Sequence, residues 1–336
     1  MSELKTIQGF RVKALSADPS NLQLGDVWYN TTDNELRVAG TGTPGWSTGG
    51  SLTTARQYTN GTGPQTAALC VGGLPNPPAV ITTSTEVYNG TAWSAGGACI
   101  LGTSNGDVNG SNSSCIYYCG DGTPWPNLED RGETYASSTW TTSPASYPAP
   151  STHMGGAGTK TAAIGMSGGP PGFASATLAA KWNDTAWSAT PAIATDVGGY
   201  VCGAGINTDA LCMGGASPAP SRTVVSAWND TSWSSSPALN TGRQTATSNC
   251  TSATSTFIAG GINPPAAVND STELWDDISW TTSSTLPDGM GYGAGGGTTT
   301  NGITFAGIGP PNAAPYLNVT YELNPGATEA LDITTS

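Results

Sequence analysis

The apolar positions of this chain come in short runs separated by turn-forming residues. Ala67–Val71 and Thr256–Ala259 are two such runs, each ending in a pair of glycines. Proline-rich stretches often come next (Pro75 to Pro78, Pro170-Pro171, Pro264-Pro265). An apolar run of this length that stops at glycine predicts a buried strand ending where the backbone has no room for a Cβ. Proline suits loops and sheet edges, not ladder interiors. No segment sustains the 3.6-residue apolar period of an amphipathic helix, so a helix-rich fold is excluded.

The strands repeat. Trp46, Trp93, Trp140, Trp187, Trp233 and Trp280 follow one another at gaps of 47, 47, 47, 46 and 47 residues. Five residues before all but the first stand Tyr88, Tyr135, Trp182, Trp228 and Trp275. Between the aromatics lie turn formers, as in Trp182-Asn-Asp-Thr-Ala-Trp187 and Trp275-Asp-Asp-Ile-Ser-Trp280. Asn and Asp tolerate left-handed backbone angles and bond their own main chain. Each unit therefore predicts a tight hairpin with a large aromatic on both arms. A glycine mark lies 19 to 21 residues before each of five tryptophans: Gly72-Gly73, Gly120 with Gly122, Gly168-Gly169, Gly214-Gly215 and Gly260-Gly261.

A period of this length with an aromatic signature indicates a repeat architecture, and here a β-propeller. Four strands per unit are expected: a small-residue strand, the strand ending in the glycines, the tyrosine strand and the tryptophan strand. The last unit carries Ile303-Thr-Phe-Ala306, Gly307 with Gly309 and Asn318 to Leu323, but no late tryptophan. Its missing strand stands at the other end of the chain, around Trp46. The expected fold is thus all-β: a six-bladed ring of four-stranded blades over residues 41–324, closed by the Trp46 strand completing the last blade. Closure removes the open sheet edge that invites aggregation. The periodic aromatics also exclude disorder, the bland reading of so much Gly, Ser and Thr.

The order of apolar strand, glycine pair, aromatic and tryptophan resembles the kelch motif. Arg56-Gln57 and Arg243-Gln244, each ten residues after a periodic tryptophan, resemble the arginine that opens the innermost kelch strand. The hairpin is shorter than in a typical kelch repeat, so the resemblance is kelch-like and speaks to fold, not activity.

Residues 1–40 do not follow the repeat. Gly25 to Val38 reads as a hairpin turning at Thr31 to Asn34. Its Gly25-Asp-Val-Trp-Tyr-Asn-Thr-Thr32 resembles a short motif of tailed-bacteriophage structural proteins, often fibres and appendages. The resemblance implies a docking element that joins the propeller to other virion proteins, with Asp26, Trp28 and Tyr29 as candidate docking residues. The alternative is an extra hairpin lying on the ring. Residues 325–336 read as a C-terminal tail.

Composition bears on compartment and partners. Met1 to Ser20 has no apolar core, so it does not read as a secretory leader, and no membrane-spanning run is present. The abundance of Asn, Thr, Ser and Gly nevertheless looks extracellular. A virion protein, released by lysis, reconciles the two; an extracellular or cell-surface location is the alternative. The net charge is −13 with ten scattered basic residues. No basic stripe exists, which argues against nucleic acid as a partner. Seven cysteines leave at least one without an intramolecular disulfide partner. Cys202 and Cys212 flank a predicted hairpin and are the candidate pair. Cys115 and Cys119, four apart on one strand, would lie roughly 13 Å from each other, too far for a bridge. Cys70, Cys99 and Cys250 read as small buried hydrophobes.

Little in the sequence points to catalysis. His153 is the only histidine, so it alone is available as a triad base, and the several histidine ligands of a copper oxidase are absent. Of the arginines, only Arg56 and Arg243 share a repeat position, unlike a sialidase-type cluster. Glu129, Asp130 and Glu133 offer carboxylates for a cation or a glycosidase, against the simpler reading of a self-neutralising loop around Arg131. Asn89, Asn183, Asn229, Asn269 and Asn318 head Asn-X-Ser/Thr triplets and read as hairpin turn residues; in a secreted eukaryotic or archaeal protein they would accept glycans. The periodic tryptophans read as scaffold that packs one blade on the next. Trp125, off the period in a proline-framed loop, is the candidate recognition residue for a host-surface glycan or receptor.

The expectation is a non-enzymatic virion structural protein of a tailed phage, without cofactor or metal, displayed on capsid or tail for decoration or host attachment. Two alternatives stand beside it. One is an extracellular glycan-binding propeller. The other is a self-assembling surface or filament subunit, a homo-oligomer bridged by residues 1–40 or by the tail after Pro325.

Overall fold

The structure is a computed structural model and describes residues 12–76, 80–124, 127–169, 177–193, 197–216, 222–263, 267–310 and 315–333. It divides into two compact units. One is Trp46–Asn324; the other joins Met1–Gly45 to Pro325–Ser336. The C-terminal tail is therefore part of the amino-terminal unit, not a separate appendage.

The unit Trp46–Asn324 is a succession of antiparallel meanders. The first sheet runs Asn60–Thr62, Leu69–Val71, Thr85–Tyr88, Trp93–Ala95. The second is Asp107–Ser111, Ser114–Tyr118, Gly132–Ala136, Thr139–Thr142. The third is Gly155–Thr159, Ala162–Met166, Ala179–Trp182, Trp187–Ala189, and the fourth is Gly199–Ile206, Asp209–Ala216, Val225–Trp228, Trp233–Ser236. The fifth has three named strands, Thr256–Ala259, Thr272–Trp275 and Trp280–Thr282. At its inner edge Thr247 exchanges two backbone hydrogen bonds with Ala259, so a one-residue bridge stands where the others have a strand. The sixth sheet is Ala294–Gly297, Gly302–Phe305, Thr320–Asn324 and, as its last strand, Gly45–Thr48. The Trp46 segment thus pairs with the end of the chain.

The hairpin signature folds as its chemistry dictates. Tyr88 faces Trp93, Trp182 faces Trp187, Trp228 faces Trp233 and Trp275 faces Trp280 directly across their strand pairs. Their rings lie 5.0 to 5.4 Å apart and tilted. In each turn the side-chain oxygen of Asn89, Asn183, Asn229 or Asp276 accepts backbone N–H groups two and three residues on. Asn269 and Asn318 do not head hairpins: both precede the third strand of their sheet, so the five triplets are not equivalent.

The glycine mark needs a similar correction. Two consecutive left-handed residues close the second strand of every sheet: Gly72-Gly73, Cys119-Gly120, Ser167-Gly168, Gly214-Gly215, Gly260-Gly261 and Ala306-Gly307. The conformation repeats, while glycine at its first position does not. Gly122, Gly169 and Gly309 stand outside the pair.

Each periodic tryptophan reaches the preceding sheet. Trp140 Nε1 donates to Thr85 Oγ1, Trp46 to Thr272 Oγ1 and Trp93 to Thr320 Oγ1. The threonine stands at one repeat position, three residues before the cross-strand aromatic (Leu323 in the sixth sheet). At that position the second and third sheets have Gly132 and Ala179, which offer no hydroxyl, and among the described residues the indole N–H groups of Trp187 and Trp233 find no partner. Buried carboxylates add a second link. Glu86 accepts from the Thr53 amide and Arg56; Glu273 accepts from the Asn240 and Thr241 amides and Arg243. Glu133 does the same for the Ile100 and Leu101 amides, with Arg131 as its partner.

The cysteines are all free and buried. Cys202 and Cys212 do not form the expected pair. Cys202 sits opposite Met213 and Cys212 opposite Gly203, so the two are one residue out of register. They project to opposite faces of the sheet and join different hydrophobic clusters.

In the other unit, Val27–Asn30 pairs antiparallel with Glu35–Thr41, confirming the expected hairpin. Lys13–Leu15 adds on one side in parallel, and Thr328–Asp332 on the other in antiparallel fashion. On the face carrying Trp28 and Ala39, both buried, Arg37 is paired with Asp18, Asp33, Glu35 and Asp332.

Candidate functional site

Six residues at one repeat position, Tyr58, Asn105, His153, Tyr200, Thr245 and Tyr292, share a left-handed backbone with φ between 55 and 65°. A non-glycine residue there costs on the order of 1 kcal/mol or more, so six in one place imply a compensating constraint. The compensation is a closed backbone circuit. The Asn105 N–H donates to Tyr58 O at 3.1 Å, His153 to Asn105 at 2.6 Å, and Tyr200 to His153 at 2.8 Å. Thr245 donates to Tyr200 at 3.1 Å, Tyr292 to Thr245 at 3.1 Å, and Tyr58 back to Tyr292 at 2.9 Å.

Four of these side chains are aromatic and touch in a cycle. Tyr58 meets Tyr292 edge-on at 4.7 Å and His153 at 6.2 Å; Tyr200 meets His153 at 3.9 Å and Tyr292 at 6.1 Å. All four are half-buried. Burial holds the His153 imidazole neutral down to about pH 3 and raises all three phenols. The imidazole lies between the Tyr58 and Tyr200 rings, with Thr152 Oγ1 3.2 Å from Nδ1.

Beneath the circuit lies a cavity of about 100 Å³, walled by the inner strands. Glycines line it where inner strands nearly touch: a Cβ on Gly203 would come within 2.1 Å of Gly156 O. Asp107 is on the wall, where Asn109 Nδ2 donates to its carboxyl at 3.0 Å and Tyr118 at 3.3 Å. Burial raises its pKa to about 7, against the opposing pull of those bonds. At the far end the Asn249 amide donates to Gly61 O at 2.7 Å and Val108 O at 2.8 Å, linking three sheets. Asn60 Nδ2, Thr59 Oγ1 and Thr245 Oγ1 belong to residues lining the cavity, buried and without a partner among the described residues. Such a chamber suits ordered water or a small hydroxyl-rich ligand.

The residues singled out in the sequence fall in separate places. Trp93, Trp140, Trp233 and Trp280 are buried, Trp46 and Trp187 partly so, and all belong to the packing between sheets. Of the docking candidates, Asp26 is exposed and Tyr29 half-buried. Trp28 is turned inward, its indole N–H on Asp18 at 3.0 Å, so its side chain is not offered to a partner. Trp125 lies outside the described residues. Arg56 and Arg243 are fully enclosed by scaffold partners, and Arg131 is the ion-pair partner of both Glu129 and Glu133. Among the described residues no cluster of three His, Cys, Asp or Glu is placed to hold a metal. The cavity residues Tyr58, Tyr200, Tyr292 and Asp107 were missed in the sequence, although the position of the three tyrosines recurs with nearly the same period as the tryptophans.

No protein-family profile and no curated protein matches this chain. Its fold does match a solved structure described as "Structure of YjhT", a kelch-like β-propeller, with TM-score 0.65 and 12% sequence identity over 80% of this chain and 95% of that one. The chain is thus similar in fold to a β-propeller.

Proposed function

We propose that this chain is a non-enzymatic structural protein of a tailed-phage particle. In this reading residues Trp46–Asn324 form a six-bladed propeller, closed by the Trp46 strand and displayed on the capsid or tail for decoration or attachment. The amino-terminal unit, including the tail after Pro325, joins it to other virion proteins. One observation carries the reading: the side chains best able to do chemistry are occupied in the scaffold. His153 is half-buried among aromatics, and Arg56 and Arg243 hold Glu86 and Glu273 against the loops between sheets. A rigid scaffold of this kind carries specificity on its loops. The test is protein mass spectrometry of density-purified particles from the culture that yields this chain. Its peptides should co-purify at a fixed ratio to the major capsid protein; their absence from particles refutes the assignment.

A second reading, an extracellular glycan-binding propeller, draws on the half-buried Tyr58, Tyr200 and Tyr292 beside a cavity with unpartnered amide and hydroxyl groups. Aromatic faces and free hydrogen-bonding groups are what a sugar ring needs. A glycan array separates the readings: binding that Tyr200→Ala removes favours this one.

A further inference from the structure

Five asparagines stand directly before a glycine: Asn60, Asn89, Asn105, Asn109 and Asn301. In such a pair the side-chain amide is readily lost, since glycine has no Cβ to shield its backbone nitrogen. The fold separates the five. Asn60, Asn105 and Asn109 are buried, and Asn105 Nδ2 donates to Asp121 at 2.8 Å and Asn109 Nδ2 to Asp107 at 3.0 Å. Gly61, Gly106, Gly110 and Gly302 are enclosed: a Cβ on any of them would lie 2.3 to 2.6 Å from a neighbouring atom. Gly90 is not, its nearest neighbour for a Cβ being Thr66 Cα at 3.4 Å. Asn89 is exposed in the turn of the first sheet, and among the described residues the Gly90 N–H has no hydrogen-bond partner. The turn also prepares the carbonyl. Asn89 Oδ1 accepts from the Thr91 N–H at 3.0 Å and the Ala92 N–H at 2.9 Å. Two donors on one amide oxygen stabilise the negative charge it takes up when a nucleophile adds to Cγ.

We propose that Asn89 is a self-modification site, its amide giving way to aspartate and isoaspartate. The Gly90 nitrogen passes its proton to water and bonds to Asn89 Cγ. The Cγ–Nδ2 bond breaks and ammonia leaves. Water then opens the five-membered imide at either carbonyl. Opening at Cγ gives aspartate; opening at the main-chain carbonyl gives isoaspartate, with the chain routed through the side chain. Nothing is oxidised or reduced. The two products differ in effect. Asp276 shows that aspartate fits, since its Oδ1 accepts the Ile278 and Ser279 amides in the corresponding turn. Isoaspartate lengthens the backbone beside the Tyr88–Trp93 pair, and Trp93 is the residue that donates to Thr320 in the sixth sheet. The inference is independent of the virion reading, since it concerns the chemistry of one turn.

The test is to hold the full chain at mildly alkaline pH and follow each asparagine by peptide mass mapping, with isoaspartate read by methyltransferase labelling. Asn89 should convert to both products while Asn60, Asn105, Asn109 and Asn301 stay amides. Asn183 and Asn229 should also stay: their oxygens accept the same pair of amides, but Asp184 and Asp230 follow them. Gly90→Asp copies those turns, where the aspartate holds φ at 74°, and should abolish conversion. If Gly90→Asp does not fold, the order of conversion in the unsubstituted chain decides alone. Three results overturn the proposal. One is Asn89 still an amide when the free peptide Tyr88–Trp93 has fully converted. The others are a buried pair converting as fast as Asn89, and undiminished conversion in folded Gly90→Asp.

Discussion

The indole N–H of Trp93 donates to the hydroxyl of Thr320 at 2.8 Å, although 227 positions separate the two residues in the chain. The bond joins the first sheet to the last. Trp93 also packs with Ile303 and Phe305 of that sheet, its ring 4.7 Å from the Phe305 ring. The link between the two ends of the repeat is thus of the same kind as the link between Trp140 and Thr85, which are neighbours in the series.

Thr320→Val keeps the shape of that contact and removes the acceptor. A buried indole N–H left unpaired costs about 1–3 kcal/mol. Chemical denaturation should show a loss of that size with an unchanged slope. A change under 0.3 kcal/mol would mean that packing, not the hydrogen bond, holds this contact; that limit is about the additivity error of such measurements.

The converse change should stabilise. Ala179 occupies the place that Thr85 holds for Trp140, and Trp233 has no acceptor there. Ala179→Ser supplies a hydroxyl at the corresponding position. The expected gain is about 1 kcal/mol in unfolding free energy. Ala227→Ser, on the strand paired with that of Trp233 but on the opposite face from the indole, should give none.

Some of this was legible in the sequence and some was not, for physical reasons. The tryptophans were legible because each does the same work against the preceding sheet, so one residue type recurs. The circuit of Tyr58, Asn105, His153, Tyr200, Thr245 and Tyr292 was not, because its common property is a backbone angle that four different residue types adopt here. The glycine mark was half legible for the same reason: Cys119, Ser167 and Ala306 adopt the angle that glycine adopts elsewhere. The amino-terminal sheet needed a pairing of Arg37 with Asp332, 295 positions on, and no local pattern announces so distant a partner. Trp28, expected to dock, is enclosed instead, its indole N–H held by Asp18.

Glu273 should prove more costly to remove than any surface acid. It holds the fully buried Arg243 and two backbone amides, from Asn240 and Thr241. Glu273→Ala strands a buried guanidinium, which costs about 3–5 kcal/mol. Arg243→Met should cost less, because the carboxylate keeps its two amide donors. If thermal melts rank the two variants the other way, the carboxylate is not the organising group of this joint.

The cavity carries two groups whose titrations oppose each other. Asp107 titrates near 7 when folded and near 3.8 when unfolded, so between these values the folded state holds the extra proton. Its contribution to stability is present at low pH and lost as pH rises through 7. His153 titrates near 3 when folded and near 6.5 when unfolded, so there the unfolded state holds the extra proton. Its contribution is present above 6.5 and lost as pH falls toward 3. Between pH 4 and 6.5 the two slopes have opposite sign, each at most about 1.4 kcal/mol per pH unit. The unsubstituted chain should therefore show a shallow pH dependence in that window. Asp107→Asn leaves the histidine slope, so stability should rise with pH. His153→Asn, a residue that holds the same backbone angle at Asn105, leaves the carboxyl slope, so stability should fall. Unfolding free energies at pH 4.5, 5.5 and 6.5 for the three proteins decide the matter. Parallel curves would show that neither group is buried in the protonation state assigned to it.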